Sequence, residues 1–376
     1  MVEKCEIPQI DLSRLNIGHL ERKECMKEIT EAAKKWGFFQ VVNHGVSQEV
    51  IKSMQFEQMK VFRMPFGIKS QEKFLNLPSR SYRWGNPSAT NPKQLMWSEA
   101  LHMFLPDIAK MNQHKSLRSS VEDFVRAVTP LADTLVQILA EELNIKFSYF
   151  QHNCSANTCY LRLNRYPICP FPSKVVGLLP HEDSSFLTIV HQDHIGGLQL
   201  MKDGNWISVK PNSQALIVNI GDLFRALSNG MYTSVKHRVV ATEKVERFSV
   251  AFFYGPSIDA VIESYATPPL YKKFTFGEYQ EQTMKDLKEG GEKVGLSSRT
   301  LRLAQPSLCL AHKAVAKPAK RKLIVPCVAG VAPRAANSTM QLGFSDFCDW
   351  DFKAYSTILH FVFKSMLMST SHQPPY

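Results

Sequence analysis

One short stretch, LPHEDSSFLTIVHQD at residues 179–193, contains the pattern His-x-Asp twice. His181 and Asp183 form the first copy, and His191 and Asp193 form the second. Each copy offers an imidazole and a carboxylate, which are ligands for divalent transition metals. Side chains two residues apart on a strand point to the same face, so either copy meets the geometric condition for a metal site. Ten extended residues span roughly 33 Å, so the two copies do not form one site.

A third ligand must come from elsewhere, and His237 in SVKHRVV, on a later predicted strand, is the best-placed candidate. Two imidazoles and one carboxylate occupy one face of an iron ion and leave three positions open. That arrangement suits non-haem Fe(II) acting with oxygen better than structural zinc. H-x-D also occurs by chance, so a structural role for each histidine is the alternative.

The next predicted strand, ERFSV, places Arg247 and Ser249 two residues apart on one face. A guanidinium fork with a hydroxyl beside it is a good receptor for a carboxylate in a pocket. The alternative is a surface arginine that pairs with Glu246 or Glu243. Together with an iron triad, the pair indicates binding of a dicarboxylic 2-oxo acid, chelated to the metal at one end and anchored at the other.

The first 150 residues are mainly helical in pattern. Residues 19–37 have apolar positions at helical spacing and stop at Gly37, and residues 37–46 read as a short buried strand. Residues 120–145 form a strongly amphipathic pattern in which Pro130 predicts a kink or a break.

From about residue 158, short strand-like stretches follow one another. Asp203-Gly204, between two alternating flanks, predicts a hairpin. Many short strands after a helical half predict a barrel or sandwich braced by helices. Residues 276–291 predict a closing helix that ends at Gly290-Gly291.

The composition narrows the function classes. At 376 residues, with 44% hydrophobic and 21% charged residues, the chain resembles a soluble globular protein. Of the formal charge of +11, residues 299–376 hold +7, from ten Lys and Arg against three Asp, and the other 298 residues hold +4. This distribution argues against nucleic-acid binding and suits an acidic small molecule.

Location is predicted from the cysteines and from the apolar runs. Eight scattered cysteines without a CxxC pair indicate reduced thiols. The N-terminus lacks the apolar run of a secretory signal, and no apolar stretch is long enough to span a bilayer. We expect a cytoplasmic protein with no membrane partner, and KPAKRK leaves a nuclear location as an alternative. The sequence does not indicate an oligomeric state.

Several motifs together resemble the plant 2-oxoglutarate- and Fe(II)-dependent dioxygenases. The similarity covers about residues 7 to 296 in family order and rests on these segments: IPQIDLSRL, WGFFQVVNHGV, NRYPICP, LLPHEDSSFLTIVHQD, GGLQLMKDGNWISVKP, ALIVNIGDLFRALSNGMYTSVKHRVV and ERFSVAFFYGP.

The resemblance implies an α+β fold with a double-stranded β-helix (jelly-roll) core flanked by N-terminal and C-terminal helices. It implies a helical domain at 1–150, a catalytic jelly-roll domain with a closing helix at 151–296, and an atypical, poorly ordered basic tail at 297–376. The tail resembles nothing in the family.

The resemblance also assigns the site. It implies iron ligands at His181, Asp183 and His237 and a 2-oxoglutarate clamp at Arg247, the residue also expected to be catalytic, and Ser249. Further contacts with 2-oxoglutarate are implied for Tyr166 and Asn164, and the His191 copy becomes an ordinary strand end with Asp193 in a turn. The implied cofactors are Fe(II), 2-oxoglutarate and dioxygen, with ascorbate as activator.

Residues 81–108 are similar to gibberellin 2-oxidases that act on twenty-carbon gibberellins. Tyr82, Arg83 and Trp84 are candidate contacts for such a rigid diterpenoid acid. The alternative is a packed loop whose aromatic residues belong to the core. The implied function is 2β-hydroxylation, which inactivates the hormone or its precursor. Two alternatives stay open: a sister dioxygenase acting on another gibberellin carbon or on a flavonoid, and a catalytically impaired binding protein on the same scaffold.

Overall fold

The computed structural model describes residues 6–303 except 88, 90, 92, 93, 156, 291, 292, 298–300 and 302. Eight α-helices are described: α1 His19–Lys35, α2 Gln48–Phe62, α3 Phe66–Lys69, α4 Leu105–Ile108, α5 Lys115–Glu142, α6 Ser148–Asn153, α7 Asp222–Leu227 and α8 Phe276–Gly290. Short 3-10 helices span Leu12–Asn16, Phe74–Asn76 and Gly295–Ser297.

The described residues also contain fourteen strands. They are β1 Gln9–Asp11, β2 Phe38–Val42, β3 Tyr82–Trp84, β4 Glu99–Phe104, β5 Tyr160–Tyr166, β6 Val176–His181, β7 Leu187–Gln192, β8 Leu198–Lys202, β9 Asn205–Ser208, β10 Leu216–Ile220, β11 His237–Val240, β12 Arg247–Tyr254, β13 Val261–Ile262 and β14 Phe274–Thr275.

The junction between α1 and β2 follows from one glycine. Gly37 has φ +60°, and its N–H donates to the carbonyl of Ala32 at 3.0 Å, which caps the helix. A Cβ at this position would lie 1.9 Å from the carbonyl oxygen of Thr233. Only glycine therefore fits where the chain turns from the predicted helix into the predicted buried strand.

Twelve of these strands form one large and one small sheet that enclose the interior of the jelly roll, and β13 and β14 pair separately. The large sheet has the order β1-β2-β10-β7-β12-β5-β4-β3, and the small sheet has the order β6-β11-β8-β9. Apolar residues from both sheets pack together between them, including Phe38, Ile217, Leu200 and Val239. The predicted α+β jelly-roll architecture is confirmed. The predicted hairpin joins β8 and β9 through Asp203-Gly204, both with positive φ.

The helices cover the other face of the large sheet. In β12, Phe248, Val250, Phe252 and Tyr254 belong to the larger apolar core, together with residues of α2 and α5. Arg247 and the alternate residues after it therefore face the interior between the sheets. Because β1 to β4 come from the first 150 residues and pair into the same sheet, the two predicted domains share one sheet and one core.

α5 runs through Pro130 without a break. The apolar residues on both sides of the proline, such as Val128 and Leu131, are buried in the core, and this packing keeps the helix continuous. No helix among the described residues combines the length and the apolar character needed to cross a membrane.

The predicted tail lies almost wholly outside the described residues. The exceptions are Ser297, Leu301 and Leu303. The carbonyl of Leu301 accepts from the N–H of Lys272 at 2.8 Å, and the N–H of Leu303 donates to the carbonyl of Leu270 at 3.0 Å. Leu301 is buried in the larger core. The folded body therefore reaches past residue 296.

Candidate active site

The side chains of His181 and Asp183 meet that of the distant His237 at the edge of the small sheet. His181 ends β6, His237 begins β11, and the two are paired in register across these antiparallel strands. Oδ1 of Asp183 lies 3.5 Å from Nε2 of His181 and 3.8 Å from Nε2 of His237. One ligand atom from each residue lies within 4.8 Å of the others, and the described residues contain no other such group of three.

The way in which Asp183 reaches the site differs from the expectation. β6 ends at His181, so Asp183 lies in the turn that leads to β7 and not on a strand beside it. The turn, rather than strand alternation, brings the carboxylate back to the imidazoles.

Backbone carbonyls orient both imidazoles. Nδ1 of His181 lies 2.7 Å from the carbonyl oxygen of Leu179, and Nδ1 of His237 lies 3.0 Å from that of Val235. Because a carbonyl can only accept, each Nδ1 carries the proton and each Nε2 keeps the lone pair that a metal needs. Burial lowers the pKa of His237 to about 4, so this imidazole is neutral near pH 7.

Asp183 is held by one of its two oxygens. Oδ2 accepts from Thr188 Oγ1 at 2.6 Å and from Asn219 Nδ2 at 2.7 Å, which leaves Oδ1 facing the imidazoles. Burial opposes ionisation of this carboxyl, but His237, His181 and Thr188 outweigh it and hold its pKa well below the usual range. The site therefore presents one carboxylate oxygen and the Nε2 atoms of two imidazoles.

This donor set fits ferrous iron. Two imidazole nitrogens and one carboxylate oxygen form the facial triad of non-haem Fe(II) oxygenases. The side chains of Asp183 and His237 are nearly fully buried, whereas that of His181 is 30% exposed, so the site opens on the side of His181.

The predicted carboxylate clamp, Arg247 and Ser249, also faces the interior between the two sheets. Arg247 is 1% exposed, and its Nη1 donates to Ser249 Oγ at 3.3 Å and its Nη2 to Gln192 Oε1 at 3.1 Å. The ring of Tyr166 lies under the guanidinium, with Cζ 4.8 Å from the ring centroid. Asn164 lies beside Ser249, with Nδ2 3.5 Å from its Oγ.

Two buried donors in this cluster have no partner within the described part of the chain. They are Arg247 Nε and Gln192 Nε2. Buried donors are rarely left unpaired, and a guanidinium among such donors suits a carboxylate ligand. The cluster therefore fits the distal acid of 2-oxoglutarate. The sequence reasoning missed Gln192, although it is the middle residue of the second His-x-Asp copy.

That second copy does not form a metal site. His191 pairs with Val250, on the helix side of the large sheet, while Gln192 pairs with Ser249 on the interior side. Asp193 accepts from the N–H of Phe248 at 2.5 Å and from that of Ile195 at 3.0 Å, in the turn after β7. His191 therefore faces the helices, and Asp193 is occupied by two backbone N–H groups beyond the end of β7.

The three candidate substrate residues lie on β3, and the structure separates them. The hydroxyl of Tyr82 donates to buried Glu99 at 2.8 Å, and its ring packs against Phe74 on the helix side. Contact between Tyr82 and the substrate stays a prediction. Arg83 pairs with Ala100, whose own partner is Asn164, so Arg83 lies on the interior side.

Trp84 lies at the end of β3, edge-on to Trp97 at a centroid distance of 5.5 Å. It takes part in an aromatic pair at the sheet margin. Contact between Trp84 and the substrate stays a prediction.

Sequence reasoning missed one further part of the interior wall. His102 of β4 and Arg162 of β5 are directly paired, on the side of Arg83 and Asn164. The ring of His102 stacks on Tyr160 at 4.4 Å, and Tyr160 stacks on Phe253 at 4.3 Å. Their position on the interior wall can be assigned only when the register of β4, β5 and β12 is known.

Comparison with known proteins decides the family. Residues 157–256 match the 2OG-Fe(II) oxygenase superfamily, and residues 7–120 match the family described as non-haem dioxygenase in morphine synthesis N-terminal. Arabidopsis thaliana gibberellin 2-beta-dioxygenase 8 is 53% identical over 79% of this chain and 87% of its own length. The chain belongs to the 2OG-Fe(II) oxygenase superfamily.

A second relative and two solved structures support membership of the same superfamily. Gibberellin 2-beta-dioxygenase 6 of Oryza sativa subsp. japonica is 45% identical over 77% of this oxygenase and 84% of its own length. The crystal structure of JOX2 in complex with 2OG, Fe and JA superimposes with a TM-score of 0.64 at 34% identity, covering 74% of this chain and 84% of JOX2. The crystal structure of the rice dioxygenase for auxin oxidation superimposes with a TM-score of 0.66 at 25% identity. The match covers 79% of this chain and 100% of the rice protein. This oxygenase is therefore an Fe(II)- and 2-oxoglutarate-dependent dioxygenase.

Proposed function

We propose that this oxygenase hydroxylates carbon 2 of gibberellins on the β face, with twenty-carbon precursors as the preferred substrates, and thereby inactivates them. The observation that carries the proposal is the combination of a complete metal triad and carboxylate clamp with 53% identity to a gibberellin 2-beta-dioxygenase over 79% of the chain. The intact site disfavours an impaired binding protein.

The metal would be held by His181, Asp183 and His237. When bound, Fe(II) supplies the reduction of dioxygen, coupled to decarboxylation of 2-oxoglutarate to succinate and carbon dioxide. The protein supplies oriented ligands: the carbonyls of Leu179 and Val235 each contact an Nδ1 atom, which leaves both Nε2 atoms on the side of Asp183.

The co-substrate's distal carboxylate would be held by Arg247 and Ser249, with Gln192 Nε2 as a further donor. Tyr166 packs under the guanidinium, and Asn164 is placed beside the hydroxyl. A charge-assisted bond in a water-excluded pocket is strong and directional, and it aims the 2-oxo acid end at the metal.

The substrate would lie along the wall formed by β3, β4 and β5. His102, Tyr160 and Phe253 form a stack of rings, and Arg162 and Arg83 lie near His102. Burial, and then these two cations, lower the pKa of His102 to about 3, so the ring is neutral. A flat apolar wall flanked by two guanidinium groups suits a rigid diterpenoid that carries carboxylates.

The buried cysteines support a reducing compartment. Cys25, Cys154, Cys159 and Cys169 are free thiols. We place the reaction in the cytoplasm, with the nucleus as the alternative, and expect a small acid and not a nucleic acid as the partner.

The test is turnover of a gibberellin panel by purified full-length protein with Fe(II), 2-oxoglutarate and ascorbate, with products identified by mass spectrometry. We expect hydroxylation at carbon 2, fastest with twenty-carbon gibberellins, and no product from His237→Ala. Hydroxylation at another carbon, or succinate release coupled only to jasmonate, feruloyl-CoA or a flavonoid, would move the enzyme to a sister activity.

A further inference from the structure

The ammonium group of Lys293, from the segment that follows α8, is buried against the turn that carries Asp183. Nζ donates to the carbonyl oxygen of Glu182 at 2.9 Å and to Oγ of Ser184 at 3.1 Å. It also forms a salt bridge of 2.9 Å with Oδ2 of Asp222. Since Glu182 and Ser184 are the two chain neighbours of Asp183, one side chain holds the turn on both sides of the carboxylate.

Asp222 attaches to the same turn. Its N–H donates to the carbonyl oxygen of Asp183 at 2.8 Å, and its carboxylate accepts from the hydroxyl of Tyr279 on α8 at 2.5 Å. The side chains of Lys293 and Asp222 are only 11% and 4% exposed. Because the carboxylate neutralises the ammonium, Lys293 can lie beside the metal-binding turn without repelling a divalent cation.

The segment of Lys293 is itself anchored. Oδ2 of Asp286 on α8 accepts from the N–H groups of Val294 at 3.1 Å and Gly295 at 3.2 Å. Gly295 has φ +59°, and a Cβ there would lie 3.1 Å from Oδ2 of Asp222. A glycine thus allows the chain to pass close to the ion pair, and the end of α8 becomes a fixed support for the turn.

We propose that Lys293 is a positioning residue that sets the affinity of the site for its divalent metal by holding the turn of Asp183 in the ligating conformation. The proposal rests on the proposed function only in taking His181, Asp183 and His237 as the metal site. Removing a residue that orients a metal ligand typically weakens metal binding about 10- to 100-fold. The 2-oxoglutarate clamp is held by other contacts, so its affinity should not change.

The experiment titrates metal-free, full-length protein with Co(II) and follows the visible absorption of the bound ion. Lys293→Met removes the ammonium at similar volume, Lys293→Arg keeps the charge and donors, and Lys288→Met is the matched control on the exposed face of α8. We expect Lys293→Met to raise the Co(II) dissociation constant about tenfold or more. Lys293→Arg should restore most of the affinity, and Lys288→Met should match the wild type. At saturating Fe(II), Lys293→Met should recover kcat with an unchanged KM for 2-oxoglutarate.

An unchanged Co(II) affinity in folded Lys293→Met would overturn the proposal, whatever its melting temperature, because the contact would then be structural only. If Lys293→Met does not fold, Ser184→Ala removes one bond to the turn and keeps the ion pair with Asp222. Weaker Co(II) binding in Ser184→Ala supports the proposal, and wild-type binding overturns it. His237→Ala distinguishes failure of the Lys293 proposal from failure of the proposed function. Wild-type Co(II) binding in that variant would reject the metal site itself, and with it the proposed function.

Discussion

Asn219 donates a hydrogen bond of 2.7 Å to Oδ2 of Asp183, the carboxylate oxygen that faces away from the two imidazoles. The bond crosses from β10, in the middle of the large sheet, to the turn at the edge of the small sheet. Together with Thr188, it fixes which oxygen of Asp183 is available to a metal. The metal site is therefore supported by both sheets of the jelly roll.

Replacing Asn219 should weaken metal binding. In Asn219→Ala, Oδ2 loses one of its two donors and the carboxylate gains rotational freedom, so we expect the Co(II) dissociation constant to rise about tenfold. Asn212→Ala, at a half-buried position outside the site, is the control. Calorimetric titration of the metal-free proteins measures the change, and equal affinities would show that Thr188 alone orients the carboxylate.

Arg247→Gln should raise the KM for 2-oxoglutarate. Loss of a buried charge that pairs with a carboxylate costs about 2 kcal/mol or more, which corresponds to a change of about thirtyfold. Arg126→Gln, which removes an exposed arginine of α5, should leave KM unchanged. Succinate release at varied 2-oxoglutarate measures the effect, with circular dichroism to confirm folding. A normal KM in folded Arg247→Gln would place the co-substrate elsewhere.

The substrate wall gives a separate prediction. Arg83→Ala should raise the KM for gibberellin about tenfold, the cost of losing one carboxylate contact at a partly hydrated site, and leave the KM for 2-oxoglutarate unchanged. Product formation at varied gibberellin concentration measures the first constant, and succinate release at varied 2-oxoglutarate measures the second. If the gibberellin KM did not move, Arg162 would remain the candidate for the substrate's carboxylate.

The metal triad and the arginine clamp could be predicted from the sequence because residue spacing indicates both. Strand alternation accounts for the clamp, whereas the turn after β6 brings Asp183 to the imidazoles. His237 and His181 are paired across β11 and β6, and Arg247 and Ser249 share the interior face of β12. The family resemblance supplied what spacing alone left open, namely which His-x-Asp copy binds the metal.

The site residues that could not be predicted from the sequence are those whose placement depends on strand register and on tertiary contacts. Nothing in the local sequence distinguishes Arg162 from other strand residues. Its pairing with His102 places it on the interior wall. Tyr82 stays a predicted substrate contact, and its hydrogen bond to buried Glu99 is a tertiary contact of this kind. Lys293 lies more than a hundred residues from the turn it contacts, and no local pattern marks such a contact.

Acid should destabilise the fold through buried histidines, and His191 offers the cleanest test. Burial, with His44 and Arg247 nearby, lowers its pKa from 6.5 to about 4. Between these values the unfolded chain binds the proton and the folded chain does not. The free energy of unfolding therefore falls as the pH falls, by about 1.4 kcal/mol per pH unit for this group.

His191→Gln should reduce the slope of unfolding free energy against pH by about that amount between pH 6.5 and 4.5, relative to the wild type. His19→Gln, at an exposed position, should keep the wild-type slope. Urea unfolding at several pH values measures it. Equal slopes in His191→Gln and the wild type would mean that this histidine is protonated in the folded protein.

Truncation tests the predicted tail. All the residues of the triad and the clamp precede residue 296, so a chain that ends at Leu296 should still convert 2-oxoglutarate. That chain loses Leu301, which is buried in the core and bonded through its carbonyl to Lys272. Loss of one buried leucine costs about 2 to 3 kcal/mol, so the melting temperature should fall by several degrees, whereas a chain that ends at Leu303 should melt close to the full-length protein. Thermal melts measure the stability of both truncated chains, and succinate assays measure their turnover. A folded chain ending at Leu303 without turnover would show that the residues beyond it contribute to the site.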